Sequence, residues 1–575
     1  MESFLYTALY TAVQEVTDPH TLHKTLISIK RDILNLHNLS QHHYFLGAQD
    51  QDHLGEERPT LFHLVKRWKN ANVCHIDSIQ DDDRTVYTTS DDIKRILTAH
   101  IRQKYATIPI PPVNIHDFLA PLQVRLPAEA RTAFSLPFTE EELKVAVRNG
   151  KRNKALGIDG IPTDFFLLAW DTVKTDILNL VNEMYNSASL PALQTRGVVV
   201  CVPKIPQLAI PTNYRFLTLL NADHKLFARI LAARLKPWLS SLLHPSQYGG
   251  TGDANILDAL ATIRDTIAEA EFTRHPVCLL SIDFKEAFDR IAHPYLFQVL
   301  ETYGFGHHMT AAIRNIYFEA TSVGQINGFI TQPVPVNASI RQGCPLSTFL
   351  FVVALDPLLH QVNDAIRAHR PPEQRHAAVT VAYVNDVTFV LRSAKEINIV
   401  QHMLTKYTQA SGAVINFHKS SALALGGWST DTPVMGIPYR PTVRILGIVF
   451  TDTTRLSATT SWNNVTQAIR RQAHDSYHRD LDLHLRIQYV NVYLLAKAWL
   501  LAQIFSPSAS TVAQINTAVS WYLWEGSTFR VPLSTLHRPK QKGGWQLIHL
   551  EAKCRALLYC RLQLMCTKAT TPTGR

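Results

Sequence analysis

Two short stretches of this sequence place carboxylates where a divalent metal could use them. In SIDFKEAFDR (281–290) an apolar run of strand character ends at Asp283, just where the pattern turns helical. In VAYVNDVTFVLR (381–392) two apolar runs meet at Val384-Asn385, a suitable two-residue hairpin turn, with Asp386 immediately after it. Acidic groups at a strand end and at a hairpin tip can share ions, and two Mg²⁺ about 3.5–4 Å apart would activate an attacking hydroxyl and steady a leaving pyrophosphate. Either stretch alone is more often a solvated cap; the two together, in this order, carry the signal. A third stretch, SIRQGCPLSTFLFVVALDPLL (339–359), puts Gln342 and Gly343 ahead of a helix that is apolar on most sides. There an amide and a main chain without a Cβ can come close to a ligand.

These residues need a scaffold, and 575 residues, 46% hydrophobic and 18% charged, are enough for several globular domains. The formal charge of +10 suits a polyanionic partner but does not demand one. Seven cysteines without a CxxC argue against a disulfide framework, and Cys554, Cys560 and Cys566, six residues apart on a helical pattern, spiral instead of converging on a metal. The longest apolar candidate for a membrane span, around Tyr493 to Phe505, contains Lys497, and MESFLYTALYTAV lacks the basic start of a signal peptide. An intracellular protein, cytoplasmic, nuclear or both, is expected.

Helical patterns fill the first hundred residues, including 20–39 and TSDDIKRILTAHIRQKY (89–105), where Thr89 and Ser90 supply caps. ATIPIPPVNIHDF (106–118) reads as a linker. From about 195, strand-like runs at 197–203, 277–284, 321–326, 379–384, 387–392 and 443–450 alternate with helices, and beyond 455 the chain is helical again. The expected fold is α+β, divided as a helical extension and linker (1–118), a mixed core (119–455) and a helical region (456–575). In the helix ending at Pro237, Lys225, Arg229 and Lys236 fall within about 40° of one another, a basic stripe opposite Leu226, Phe227, Ile230, Leu231 and Leu235. Such a stripe fits phosphate contact or plain solvation.

In combination these stretches resemble the reverse transcriptases of non-LTR (LINE-type) retrotransposons. SIDFKEAFDRIAH is similar to their motif A, RQGCPLS to motif B, the hairpin to motif C, SGAVINFHKSSALALG (411–426) to motif D and VRILGIVF (443–450) to motif E. KALGIDGIPTDFF (154–166), VPKIPQLAIPTNYRFLTLLNADHKLFARILAARL (202–235), the upstream DHLGEERPTLFHLVKRW and the tail 520–550 match as well, so the likeness runs from about 45 to 560. It implies a right-hand polymerase with fingers, a palm built on an antiparallel sheet, and a helical thumb. The implied activity is RNA-directed DNA polymerisation, with two Mg²⁺, an RNA template, a DNA primer and dNTP. On that pattern Asp283 and Asp386 bind metal and Phe288 excludes a 2′-hydroxyl. Gln342, Gly343, Arg215 and Lys419 serve the nucleotide, Lys419 as proton donor to pyrophosphate. Lys225, Arg229 and Lys236 face nucleic acid.

The sequence also departs from the pattern. Motif C should read Tyr-x-Asp-Asp and here reads Tyr383-Val384-Asn385-Asp386, so a neutral amide replaces the second metal-bridging carboxylate. Asp386, its neighbour, is expected on the other side of the strand. Phe216 stands where the family has proline, Asp253 where it has arginine, and Thr348 where it has proline. An endonuclease, expected ahead of the linker in the complete family, is not expected in this sequence. The expectation is a polymerase by descent whose chemistry is impaired, the alternative a non-catalytic nucleic-acid binder that keeps the channel.

Overall fold

The computed structural model describes residues 75–570 apart from 82, 152–154, 188–189, 205–209, 251–254, 478, 480 and 525–530. The helix expected at 20–39, the upstream match at 52–68 and Asp253 lie outside the described residues.

Helix α1 (Ser90–Lys104) starts as the sequence suggests. The Thr89 side chain accepts from the Asp92 N–H at 3.3 Å, and Asp91 and Asp92 occupy the first turn, where the N-terminal dipole favours negative charge. Ile93, Leu97 and Ile101, four residues apart, form its single buried stripe. The proline-rich stretch is not a connector throughout. Pro112–Leu119 is helix α2, with a proline in its first turn where a missing N–H costs nothing. It buries Ile115, Phe118 and Leu119, and Phe118 packs on Tyr295 and Tyr407. The division expected at 118 therefore falls inside packed core.

The mixed region contains, in order, strands β1 (Gly197–Pro203) and β2 (Tyr214–Leu219), helix α3 (Ala222–Leu242), strands β3 (Val277–Ile282) and β4 (Thr321–Ile326), helix α4 (Ser347–His369), strands β5 (Thr380–Tyr383) and β6 (Asp386–Leu391), helix α5 (Ala394–Ser411), strand β7 (Ser421–Leu425), and the hairpin β8 (Val443–Ile445) and β9 (Ile448–Phe450). One sheet runs β7-β3-β6-β5, antiparallel at every step. Another runs β2-β1-β4, with β1 and β4 parallel. Buried residues make up nearly all of β3 and β6, because helices cover the first sheet, and both strands accordingly read as apolar runs without alternation.

Two elements differ from expectation. Helix α3 passes through Pro237 to Leu242; Pro237 and Ala233, whose carbonyl the proline leaves unpaired, are both exposed, so water can satisfy that oxygen. The long apolar helix is α4, not the 493–505 stretch. By length and composition α4 could cross a bilayer, but it is buried at most positions from Leu350 to Ile366 and belongs to the main hydrophobic core.

Two compact units divide the chain, one drawn from 71–464, 498–508 and 554–575, the other from 465–497 and 509–553. The first holds both sheets. The second is helical: Leu483–Tyr489 and Ala509–Trp524 are tied by the Arg486 guanidinium, which donates to the Tyr522 carbonyl at 3.2 Å.

A pH dependence follows from α3. His224, fully buried, has Nδ1 3.0 Å from the Gln194 carbonyl, and burial, then the nearby Arg341 charge, push its pKa down to about 3. Burial likewise takes His293 down to about 4. Both bind a proton more readily unfolded, near the ordinary value of about 6.5, so the stability they contribute is present above that pH and is lost as pH falls below it. For His224 the loss between pH 6.5 and 5 is about 2 kcal/mol. Thermal melting from pH 8 to 5 should show the fall, and His224→Met should flatten it. A His224→Met profile as steep as that of the unaltered chain would refute the assignment.

Candidate active site

Strand β3 ends at Ile282, and Asp283 is the next residue. Its N–H donates to Ser420 Oγ at 3.1 Å, its carbonyl accepts from the Asn416 N–H at 2.8 Å, and its Oδ2 accepts from the Asn416 side-chain amide at 2.8 Å. The carboxylate is thus fixed from the segment that leads into β7. Strands β5 and β6 meet at the two-residue turn Val384-Asn385, with Asp386 paired to Tyr383. On the other edge of β6, Val387 pairs with Ile282, so one step further the register sets Asp386 across from Asp283, on the same side of the sheet. Burial and then the Asp283 charge raise the Asp386 pKa, as expected of carboxylates held near one another.

This changes one expectation. Side-chain alternation cannot be counted through the turn, because Val384 sits at φ +56°, a left-handed conformation costly for a β-branched residue. Asp386 faces Asp283, and Asn385 lines the neighbouring cavity.

The strained turn is braced by residues the motif reading passed over. Gln247, 1% exposed, accepts from the Val384 N–H at 2.9 Å and from the Gly249 N–H at 3.0 Å, and its amide NH₂ donates to the Val384 carbonyl at 3.3 Å. The Tyr248 N–H donates to the Ala382 carbonyl, and the Ala382 N–H to that of Ser246, so 246–248 runs alongside β5. A Cβ on Gly249 would lie 2.7 Å from the Val384 nitrogen, so this close approach requires glycine. The SQYGG string was the available signal: an amide and glycines together at the start of the segment in which Asp253 replaces the family's arginine.

A cavity of about 420 Å³ opens beside the turn, lined among others by Lys104, Lys204, Arg215, Glu286, Phe288, Asp289, Gln342, Gly343, Thr348 and Asn385. Phe288 is stacked on Phe351 of α4, ring centres 4.5 Å apart, so its ring is fixed. Gly343 has φ +112°, and a Cβ there would meet the Thr218 carbonyl oxygen at 2.3 Å, while the Thr218 N–H donates to the Gln342 carbonyl at 2.8 Å. Lys204 has its pKa lowered, first by burial and then by the charges of Lys104, Lys419 and Arg215, with Glu286 acting in the opposite sense. Crowded cations of this kind favour an anion among them. Lys419 itself is exposed and is not part of the cavity wall.

The basic stripe does not stand as an open face. Lys225 Nζ reaches the Ala155 carbonyl at 3.5 Å and Arg229 Nη1 that of Ala146 at 3.4 Å, both side chains half-buried; of the three cations only Lys236 is exposed. Helical periodicity gave their common side correctly but could not show that the carbonyls of Ala146 and Ala155 engage two of them. Phe216, which departs from the family pattern, is a core residue. It packs on His100, ring centres 5.2 Å apart, and lies 4.7 Å beneath Lys104 Nζ.

Among the described residues no group of three or more His, Cys, Asp or Glu could hold a metal ion. Two facing carboxylates with a neutral amide nearby fit one divalent cation, and lack the third charge that a pair of ions would need.

Residues 202–450 match the family model for reverse transcriptase (RNA-dependent DNA polymerase). The Transposon TX1 uncharacterized 149 kDa protein of Xenopus laevis is 26% identical over 88% of this chain and 39% of its own length. The Retrovirus-related Pol polyprotein from type-1 retrotransposable element R2 of Popillia japonica is 28% identical over 39% of this chain and 30% of its own length. That from type-2 element R2DM of Drosophila melanogaster is 20% identical over 64% and 35%. This chain thus spans less than two fifths of the relatives it matches. A solved telomerase from Candida albicans aligns with 72% of this chain and 68% of its own at 12% identity and a TM-score of 0.36, too distant to bear on function. The sheet carrying Asp283 and the motif C hairpin is the palm of a right-hand polymerase. Residues 202–450 thus carry the reverse transcriptase match, and the chain is similar to proteins of non-LTR, LINE-type retrotransposons.

Proposed function

We propose that the cavity is the deoxynucleotide site of an RNA-directed DNA polymerase whose chemistry is impaired by Asn385. The observation that carries this reading is the cavity's lining: cations at Lys104, Lys204 and Arg215, the fixed Phe288 ring, the Gln342-Gly343 loop, and the hairpin turn in one 420 Å³ space. Lys204 and Arg215 receive the triphosphate, Gly343 brings main chain against the nucleotide, and Gln342 supplies the amide. Lys419, exposed outside the wall, would be the proton donor to departing pyrophosphate. Asp283 and Asp386 would hold a divalent ion, Mg²⁺ in the intact family as a pair; when bound, it supplies the charge that stabilises the attacking 3′-oxygen and the leaving group. The partners are an RNA template, a DNA primer and dNTP.

Primer extension on an RNA template, with Mg²⁺ and with Mn²⁺, tests the reading. Slow incorporation by the unaltered chain that rises when Asn385 becomes aspartate supports it, and ordinary rates without that change would refute the impairment. A second reading, a nucleic-acid binder without chemistry, is favoured by the missing third acid; duplex binding with no incorporation by either chain would establish it.

Phe288 offers a further check. In this reading its ring, stacked on Phe351, would leave no room at the sugar's 2′ position, so Phe288→Ala in the Asn385→Asp chain should lower discrimination against ribonucleotides by about 10–100-fold, measured as the ratio of kcat/KM values for dATP and ATP. An unchanged ratio would mean that the ring packs the core and does nothing more.

A further inference from the structure

Asp289, 2% exposed, joins three separate parts of the chain. Its Oδ1 accepts from Ser339 Oγ at 3.2 Å, its Oδ2 accepts from Gln342 Nε2 at 3.1 Å, and the same Oδ2 lies 2.9 Å from Lys104 Nζ. Lys104 is the last residue of α1 and lies outside the 202–450 segment that matches the polymerase family. Its side chain is 4% exposed, and Nζ also contacts Glu286 at 3.2 Å and the face of Phe216. Burial draws the ammonium's pKa down, but the charges of Asp289 and Glu286 outweigh burial and leave it raised, so it is a cation at neutral pH. Phe216, in place of the family's proline, supplies the aromatic floor beneath that cation.

The arrangement sets a condition on Gln342. The loop's main chain is fixed through Thr218, but the side-chain amide is held by the Asp289 carboxylate. An ionised carboxylate can accept from Ser339 and Gln342 together. Burial already raises the Asp289 pKa against the lowering pull of the Lys104 charge; without that cation the carboxylate would take up a proton more readily still, and the protonated oxygen would become a donor. We propose that Lys104 is a positioning residue of the nucleotide pocket: its ammonium keeps Asp289 ionised and in place, Asp289 orients the Gln342 amide, and nucleotide affinity depends on a lysine supplied by helix α1. The inference rests on the reading of the cavity as a nucleotide site.

A double-mutant cycle tests it. A fluorescent dATP is titrated into the full chain bound to an RNA template carrying a dideoxy-terminated DNA primer, for the unaltered protein, Lys104→Met, Gln342→Leu and the double variant. Each single change should weaken binding about tenfold, the upper end for one hydrogen bond, and the double variant should bind no more weakly than Gln342→Leu alone, since both remove one interaction. A purely structural or independent role for Lys104 would make the losses multiply, and multiplied losses overturn the inference. Should Lys104→Met fail to fold, Lys104→Met/Asp289→Asn, which leaves no buried charge unpaired, replaces it in the cycle under the same criterion. No binding by the unaltered chain would overturn the nucleotide-site reading and this inference with it; binding with multiplied losses would overturn this inference alone.

Discussion

Replacing Asn385 by aspartate should raise the rate of primer extension by about a thousandfold. Metal stabilisation of a displacement at phosphorus contributes several kcal/mol, and about 1.4 kcal/mol corresponds to tenfold in rate. The fold is ready for the change. Asn385 occupies the second turn position, lines the cavity, and follows a residue whose left-handed backbone is already held by Gln247. Aspartate has nearly the same shape, so the added charge and not a rearrangement would account for the gain. A carboxylate would then line the cavity next in sequence to Asp386, which faces Asp283. The measurement is single-nucleotide incorporation on an RNA template at saturating dATP. Equal rates for both chains, with duplex binding intact, would mean that the deficit lies elsewhere, with Thr348 and Glu286, both in the cavity wall, the first places to look.

Much of this site could be read directly from the sequence, and the exceptions have physical causes. Asp283, Phe288, Gln342 and Asn385 lie in local patterns, a strand end, a short loop before an apolar helix, and a hairpin, and such patterns survive without tertiary information. Arg215 follows from the N-Y-R string within a strand. What escaped was set by partners distant in sequence. The Asp386 orientation depends on how β6 registers with β3, about a hundred residues away. Lys225 and Arg229 are engaged by carbonyls 70 and 83 residues earlier. Lys104 looks like an ordinary basic residue in the last turn of an amphipathic helix, and only the packing of α1 makes it a buried counter-ion. Helix α2 was hidden by its own prolines, which mark a linker or a helix start equally well.

The other large effect is expected in the fold beneath the hairpin. Arg370 and Glu396, with side chains 1% and 2% exposed, form a bidentate pair: Nε to Oε1 at 2.9 Å and Nη2 to Oε2 at 3.0 Å. The rest of the guanidinium is engaged as well, Nη1 donating to the carbonyls of Ala377 and Ala378 at 3.1 Å and Nη2 to that of Val390 at 2.8 Å. Glu396 also accepts the Arg392 N–H at 2.9 Å, so the pair closes the far end of β6, the strand that begins at Asp386. Glu396→Ala would leave a buried, uncompensated guanidinium and should cost about 3–5 kcal/mol, a large share of the roughly 5–15 kcal/mol that holds a typical domain together. Replacing both residues with apolar ones of similar volume, Arg370→Met with Glu396→Leu, should recover most of the loss, because the penalty comes from the unpaired charge and not from the absence of the bond. Urea unfolding followed by hydrogen exchange at β6 amides measures both. A Glu396→Ala chain within about 1 kcal/mol of the original would place the pair in the solvent-screened class of ion pairs. A double variant no better than the single would show that the carbonyls of 377, 378 and 390 depend on the guanidinium, making Arg370 a structural donor first and a charge partner second.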